Sequence, residues 1–355
     1  LLNFFKNITL FSLGFLPRIK LVCLIVYVSC IHLVAAQQNL VYNGDFEEYS
    51  SCPENESNPY QNPKEIEKCV GWKAPTYGTS DYFNSCADND SLIGTMQQPV
   101  VGTHFNFGGT QTPYSGNGYL GGYFTCYMGG AGTDGYNGPG WWEYIQGNLT
   151  EPLKIGNIYQ LSIKLSVAEL SDLMINEIGV FFSNAPISSE NTSNLNVTPQ
   201  CTFYEPNFFR DTTEWIDLKA LFIANGGEKF ITIGNFKDVY NTDTLRRFNW
   251  EPLYVNPYCT YMFVDDVQLV QTDIEIPNVF TPNGDGVNDF VSFPNFGNSA
   301  NKIVVVNRWG SLIYESNGIN PIWDGKDTSG KSCTEGTYFY RINNTNISGF
   351  IQLMR

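Results

Sequence analysis

Histidine is almost missing from this chain. Two occur in 355 residues, and one of them, His32, lies in an apolar N-terminal stretch. Metal centres and catalytic dyads that need several imidazoles are therefore excluded. Positive charge is scarce too: Lys and Arg number 20 against 35 Asp and Glu, a formal charge of −15. Nucleic-acid binding draws its affinity from cationic groups that release counterions, and docking on anionic lipid uses the same groups, so both are disfavoured. Such a balance suits neutral ligands, divalent cations or simple solubility. Charged residues of both signs reach only 15%, which speaks against coiled coil and long surface helices. No Cys-x-x-Cys pair exists, against a zinc ribbon or a thioredoxin-type site. There is no G-x-S-x-G, no H-E-x-x-H, no P-loop, and no dinucleotide fingerprint between a strand and a helix.

What is present is aromatic and glycine-rich: aromatics make up 15%, with 33 Gly and 18 Pro. Strands and turns are the structures such a composition favours. Residues 1–36 contain no Asp or Glu; Arg18 and Lys20 precede the apolar run Leu21 to Val34, and Ala35-Ala36-Gln37 follows. A basic flank, a short apolar run and small residues read as a signal peptide cleaved after Ala36. The run is short for a spanning helix, and no second one follows, so no transmembrane span is expected after signal removal. An N-terminal anchor and a lipid-modified Cys30 are the alternatives. Of nine cysteines, Cys23 and Cys30 go with the signal. Cys52, Cys69, Cys86, Cys126, Cys201 and Cys259 form an even set, read in an exported chain as disulfides with the pairing open. Cys333 is left over as a free thiol.

Strand signals recur along residues 37–272. Tyr159, Leu161, Ile163, Leu165 and Val167 alternate with polar residues at period two, a half-buried strand. The stretch 215–234, with Asn225-Gly226-Gly227 inside it, reads as a hairpin. Tyr261 to Val270 reads as a further strand with Phe263, Asp265, Val267 and Leu269 on one inward face. Between Gly102 and Tyr144 lie 13 glycines and 11 aromatics, a density that specifies turns and close backbone approach. Several short strands with turns between them predict an all-β sandwich or jelly roll. A seam near Gln271-Thr272-Asp273 predicts a second domain over 273–355.

The second region carries Ile276-Pro277-Asn278-Val279-Phe280-Thr281-Pro282-Asn283-Gly284-Asp285-Gly286-Val287-Asn288-Asp289, then Val306-Asn307-Arg308-Trp309-Gly310, Trp323-Asp324-Gly325 and Gly336-Thr337-Tyr338-Phe339-Tyr340. Four words in this order, with a short apolar strand ending in Arg355 after them, resemble the gliding-motility-associated C-terminal domain, the type B sorting signal of the type IX secretion system of Bacteroidota. The resemblance implies a small immunoglobulin-like sandwich, partnership with the secretion machinery, and delivery to the outer cell surface or the medium. Taken by itself, the loop places Asn283, Asp285, Asn288 and Asp289 at one bend, as calcium loops do, or forms a tight turn of Asx hydrogen bonds with no ion. Trp309 and Trp323 read as core aromatics.

The first region opens with Asn39-Leu40-Val41-Tyr42-Asn43-Gly44-Asp45-Phe46-Glu47 and closes with Tyr261-Met262-Phe263-Val264-Asp265-Asp266-Val267-Gln268-Leu269. These bookends resemble galactose-binding-like jelly rolls, which include several carbohydrate-binding modules. First and last strands are neighbours in such a fold, so Glu47 and Asp265, with Asp45 assisting, are the expected ligands of a structural calcium ion. The alternative is an Asp capping backbone N–H groups.

Three functions remain open. A carbohydrate-binding or adhesive module would stack sugar faces on loop aromatics, with Trp72, Tyr77, Tyr82, Trp141, Trp142 and Trp215 as candidates. A structural or protein-binding surface component would need no small ligand. A glycoside hydrolase would need two carboxylates, for which Asp81, Glu143 and Glu214 are nominated without a motif behind them. The expectation is a binding module and no enzyme.

Overall fold

A computed structural model describes residues 37–54, 64–87, 101–103, 106–127, 140–247, 258–294, 296, 302–316, 321–342, 345 and 347–355. The expected signal peptide, with its cleavage site after Ala36, lies outside the described residues, as does His104. The first twelve strands, in chain order, are β1 (Trp72–Lys73), β2 (Asp81–Asn84), β3 (Gly118–Cys126), β4 (Tyr144–Asn148), β5 (Ile158–Val167), β6 (Leu173–Ile175), β7 (Glu177–Ser183), β8 (Cys201–Tyr204), β9 (Ile216–Ile223), β10 (Phe230–Gly234), β11 (Thr244–Arg246) and β12 (Cys259–Gln271). Then come β13 (Val279–Phe280), β14 (Val291–Ser292), β15 (Ile303–Val306), β16 (Leu312–Ser316), β17 (Ile322–Trp323), β18 (Gly336–Ile342) and β19 (Ser348–Leu353). Two short 3-10 turns are the only helical pieces among the described residues. None is long and apolar enough to cross a membrane.

Two antiparallel five-stranded sheets form the jelly-roll sandwich, ordered β1-β4-β10-β7-β8 and β2-β3-β12-β5-β9. The core between them holds Phe46, Trp72, Phe124, Ile145, Leu165 and Val264. From Tyr159 to Leu165 strand β5 shows the expected alternation, its apolar residues buried and Gln160, Ser162 and Lys164 half-buried, while Ser166 beyond them is buried. The jelly roll's first and last segments are stitched together: Leu40 N donates to Leu269 O at 2.7 Å, and the Asn39 side chain donates to Val267 O and accepts from Leu269 N, each at 2.9 Å. Gly44 is required at this seam, because a Cβ there would stand 2.1 Å from the Val267 carbonyl oxygen.

Three readings of the sequence are corrected. Residues 215–234 are no hairpin: β9 pairs with β5, while β10 pairs with β4 and β7 in the other sheet. The Asn225-Gly226-Gly227 turn carries the chain between sheets, and the Glu228 carboxylate accepts from Asn225 N and Gly226 N. Strand β12 does not keep one face throughout. Its register shifts between Asp265 and Gln268, and Asp266 takes φ 45°, so a bulge reverses the phase. Met262 and Val264 before the bulge, and Val267 and Leu269 after it, face the core, whereas Phe263 packs in a separate cluster with Phe83, Tyr119 and Tyr261. Finally, the six cysteines do not make three bridges. Cys52 pairs with Cys86 and Cys126 with Cys259, while Cys69 and Cys201 are free and buried. Both sit in the apolar core as small hydrophobes, and burial pushes both thiols up.

The C-terminal region is a smaller β-sandwich of a five-stranded sheet, β13-β19-β18-β15-β16, and the pair β14-β17. Its own core gathers Phe280, Phe293, Trp323, Tyr338 and Ile351. Trp323 is in this core as expected; Trp309 is 78% exposed and is not. Ile158, Leu221 and Ile223 of the jelly roll lie half-buried against this second core, and Leu221 bridges Phe296. The jelly roll's edge strand β9 is thereby covered.

Candidate functional site

The carboxylates named at the two ends of the jelly roll meet at one turn. Asp265 is fully buried; its Oδ2 accepts from Tyr114 N at 2.7 Å and Ser115 N at 3.2 Å, and its Oδ1 from Asp266 N at 2.6 Å. Glu47 Oε1 accepts from Asn117 N at 2.6 Å and Gly118 N at 2.9 Å, and Oε2 from the Asn117 amide at 2.9 Å. Two carboxylates from opposite ends of the jelly roll thus clamp residues 114–118. Burial pushes the Asp265 carboxyl up to about 7, against the pull of its three N–H donors. Asp45 is exposed beside the clamp. Among the described residues, no three or more His, Cys, Asp or Glu side chains gather in a way that could hold a metal. The donors are hard oxygens of the kind calcium prefers, and here they accept N–H groups of the backbone and of the Asn117 side chain.

The acidic loop of the C-terminal region also serves itself. Asp289 accepts from Asn283 N, Gly284 N and Gly286 N at 2.9, 2.7 and 2.8 Å, and those bonds hold its carboxyl below the usual range. Asp285 accepts from Val287 N at 2.8 Å and from the Asn283 amide at 3.0 Å. Asn288 takes φ 54° and its carbonyl receives Thr281 N at 2.8 Å.

The six aromatics scatter. Trp72 and Tyr82 are buried core rings: the Trp72 indole donates to Asn43 O at 2.8 Å, and the Tyr82 hydroxyl to Phe46 O at 3.0 Å. Trp215 is half-buried, donating to Thr112 O at 2.9 Å and meeting Tyr119 edge-on. Trp142 is buried while its neighbour Trp141 is half-exposed, as adjacent residues of an extended chain face opposite ways. Tyr77, 52% exposed, is the one candidate that stands mostly in solvent. Tyr77 and Trp141 belong to segments tied together by Glu143. This buried carboxylate accepts from Thr79 N and Oγ1 at 2.7 and 2.6 Å, the Trp141 indole at 2.9 Å and Tyr123 N at 2.8 Å. Asp81, also buried, accepts from the Tyr261 hydroxyl at 2.8 Å. Glu214 is exposed on a separate turn.

A feature the sequence reading missed lies on the outer face of the β1-β4-β10-β7-β8 sheet. Gly234, Gly179 and Thr202 are cross-strand neighbours on β10, β7 and β8, and two of the three have no side chain. The Phe236 ring fills part of the hollow; a Cβ on Gly179 would stand 2.5 Å from it and 2.8 Å from Pro199. What remains is a cavity of about 240 Å³, lined also by Glu177, Val197, Thr198, Asn235 and Lys237. Lys237 and Glu177 pair at 2.7 Å on its wall. Thr202 lines the cavity, and its hydroxyl oxygen is buried with no hydrogen-bond partner. Farther along the same outer face the Gln146 carbonyl oxygen is likewise buried and unpartnered, as is the Trp142 indole N–H nearby. A glycine within a strand signals close approach by a ligand or by another part of the chain, so Gly179 was the available clue.

Residues 274–353 match the family described as the CHU_C type IX secretion signal domain. No curated protein matches the chain. Among solved structures, the K1 cleaved adhesin domain of Lys-gingipain from Porphyromonas gingivalis W83 is similar at 13% identity and TM-score 0.27, covering 57% of this chain and 92% of that one. The CBM22-1 xylan-binding domain of Xyn10C from Paenibacillus barcinonensis is similar at 10% identity and TM-score 0.29, covering 64% and 99%. The chain therefore carries a type IX secretion signal, which directs it to the cell surface or the medium.

Proposed function

We propose that the jelly roll is a carbohydrate-binding or adhesive module carried outside the cell by its C-terminal signal, and that the outer-face cavity receives a sugar. The observation that carries this is a cavity walled by the Phe236 ring, the Glu177–Lys237 pair and Thr202, whose unpartnered hydroxyl would reach a ligand by turning about its side-chain bond. A ring offers an apolar face for sugar C–H groups, and the polar atoms offer partners for hydroxyls. At about 240 Å³ the cavity falls below the roughly 300–1,000 Å³ of drug-sized sites, so it suits a single ring or a branch end. Binding without turnover is the reading we favour, because Glu143 commits its oxygens to four donors. A glycan array with the chain from Gln37 onward tests the module. Saturable binding to one sugar class, reduced about tenfold or more by Thr202→Val, is expected. A blank array from folded protein would favour a protein-binding surface component.

We also propose calcium at the 114–118 turn, where Glu47 and Asp265 would exchange N–H donors for the ion. Added calcium should raise the melting temperature and EDTA should lower it. Identical melts in both would remove the ion.

A further inference from the structure

The smaller sandwich turns an apolar row outward. Phe350 on β19 is the cross-strand partner of Phe339 on β18, Phe339 partners Val306 on β15, and Val306 partners Leu312 on β16. These four lie opposite the buried face formed by Tyr338, Ile351, Ile303 and Val305. Phe350 is 51% exposed, Phe339 46% and Leu312 48%. The row runs on into Trp309, in the turn after β15. That turn is built to hold the indole out: Asn307 Oδ1 accepts from Trp309 N at 3.0 Å and Ser311 N at 2.9 Å, and Gly310 takes φ 80°. A lone exposed apolar residue needs no explanation, but a contiguous row of large ones across four strands marks a contact surface.

Arginines without an ion-pair partner among the described residues border it. Arg308 lies over the Trp309 ring at 5.1 Å, and Arg341 stands exposed two residues from Phe339, on the same face of β18. Among the described residues neither guanidinium is in an ion pair, whereas Glu315, at the same edge, is neutralised by Lys302 at 2.6 Å. Two free guanidiniums beside an apolar row, in a chain of charge −15, form a local positive exception. A second copy would bring the same two arginines and so add like charge at the contact, which weighs against self-association.

We infer that this row, Leu312–Val306–Phe339–Phe350 with Trp309, is the surface by which the signal domain is read, and that its partner in the export machinery offers an apolar segment bordered by carboxylates. The inference rests on the secretion-signal reading of residues 274–353. Aromatic anchors would supply most of the binding energy and the arginines would orient the encounter.

The test uses the full chain in a host with a functional type IX secretion system. The fraction outside the cell is compared with the fraction left in the periplasm, and the melting temperature of each purified variant is recorded. Phe339→Ser with Phe350→Ser, and separately Arg308→Glu with Arg341→Glu, should each cut export roughly tenfold or more while the charge-reversed protein melts like the parent. The arginine pair keeps the test valid if the phenylalanine variant fails to fold. Full export of both folded variants would overturn the inference, as would a parent dimer in sedimentation that Phe339→Ser with Phe350→Ser dissolves. Removal of 274–355 separates the two levels. If the truncated chain leaves the cell normally, the signal reading itself fails. If it stays inside while both variants leave, only the surface is wrong.

Discussion

Asp265 shows how much one side chain can be asked to do. It sits beside the bulge of β12, is buried, and takes three N–H donors from two segments. Its pH dependence has a definite sign. In the unfolded chain the carboxyl loses its proton near its ordinary value of 3.8, and in the folded chain near about 7. Between those values the folded state holds the extra proton, so stability falls as pH rises through the window and is level above it. The carboxylates held low, Asp211, Asp217 and Asp289 among them, act in the opposite direction and below this window. Urea unfolding at pH 4.5 and pH 7.5 should therefore show a loss that Asp265→Asn largely removes. An equal loss in the variant would assign the effect elsewhere. The sequence allowed Asp265 to be read as a buried carboxylate in need of a partner. It hid the partner, because residues 114–115 lie about 150 positions away and contribute only their backbone.

At the level of elements, local pattern and tertiary pairing part company. Strand β5 was legible because each residue's face follows from the period of two. The fate of 215–234 was not, because a turn sequence declares that the chain bends and leaves open which sheet receives it. The same limit applied to cysteine: an even count suggested three bridges, while Cys69 and Cys201 point into the core. Thiol labelling of unreduced protein checks this. In the folded state Cys69, Cys201 and Cys333 should be protected by burial; in denaturant these three should react, and Cys52, Cys86, Cys126 and Cys259 should not. Labelling of only one of the seven would restore the third bridge. The cavity escaped notice for a related reason. Its walls come from β7, β8 and the segments beside them, and its one mark in the sequence is a glycine within a strand.

On the scale of the whole molecule, the signal region was the most legible part, since its words stand close together in sequence and order. The binding face was the least legible, since most of the candidate aromatics turned out to support loops or fill the core. The seam that ties Asn39 to Val267 and Leu269 has a consequence in time. Its partners are 228 and 230 residues apart, so the sandwich cannot close until almost all of the jelly roll has been made. Contacts so distant along the chain form late, because the intervening loop must be gathered first. A growing chain of this design leaves β3 and β5 without the strand that joins them until β12 has been made. For a protein bound for the outside of the cell, lateness of that kind delays the completed sheet until its last strand is available.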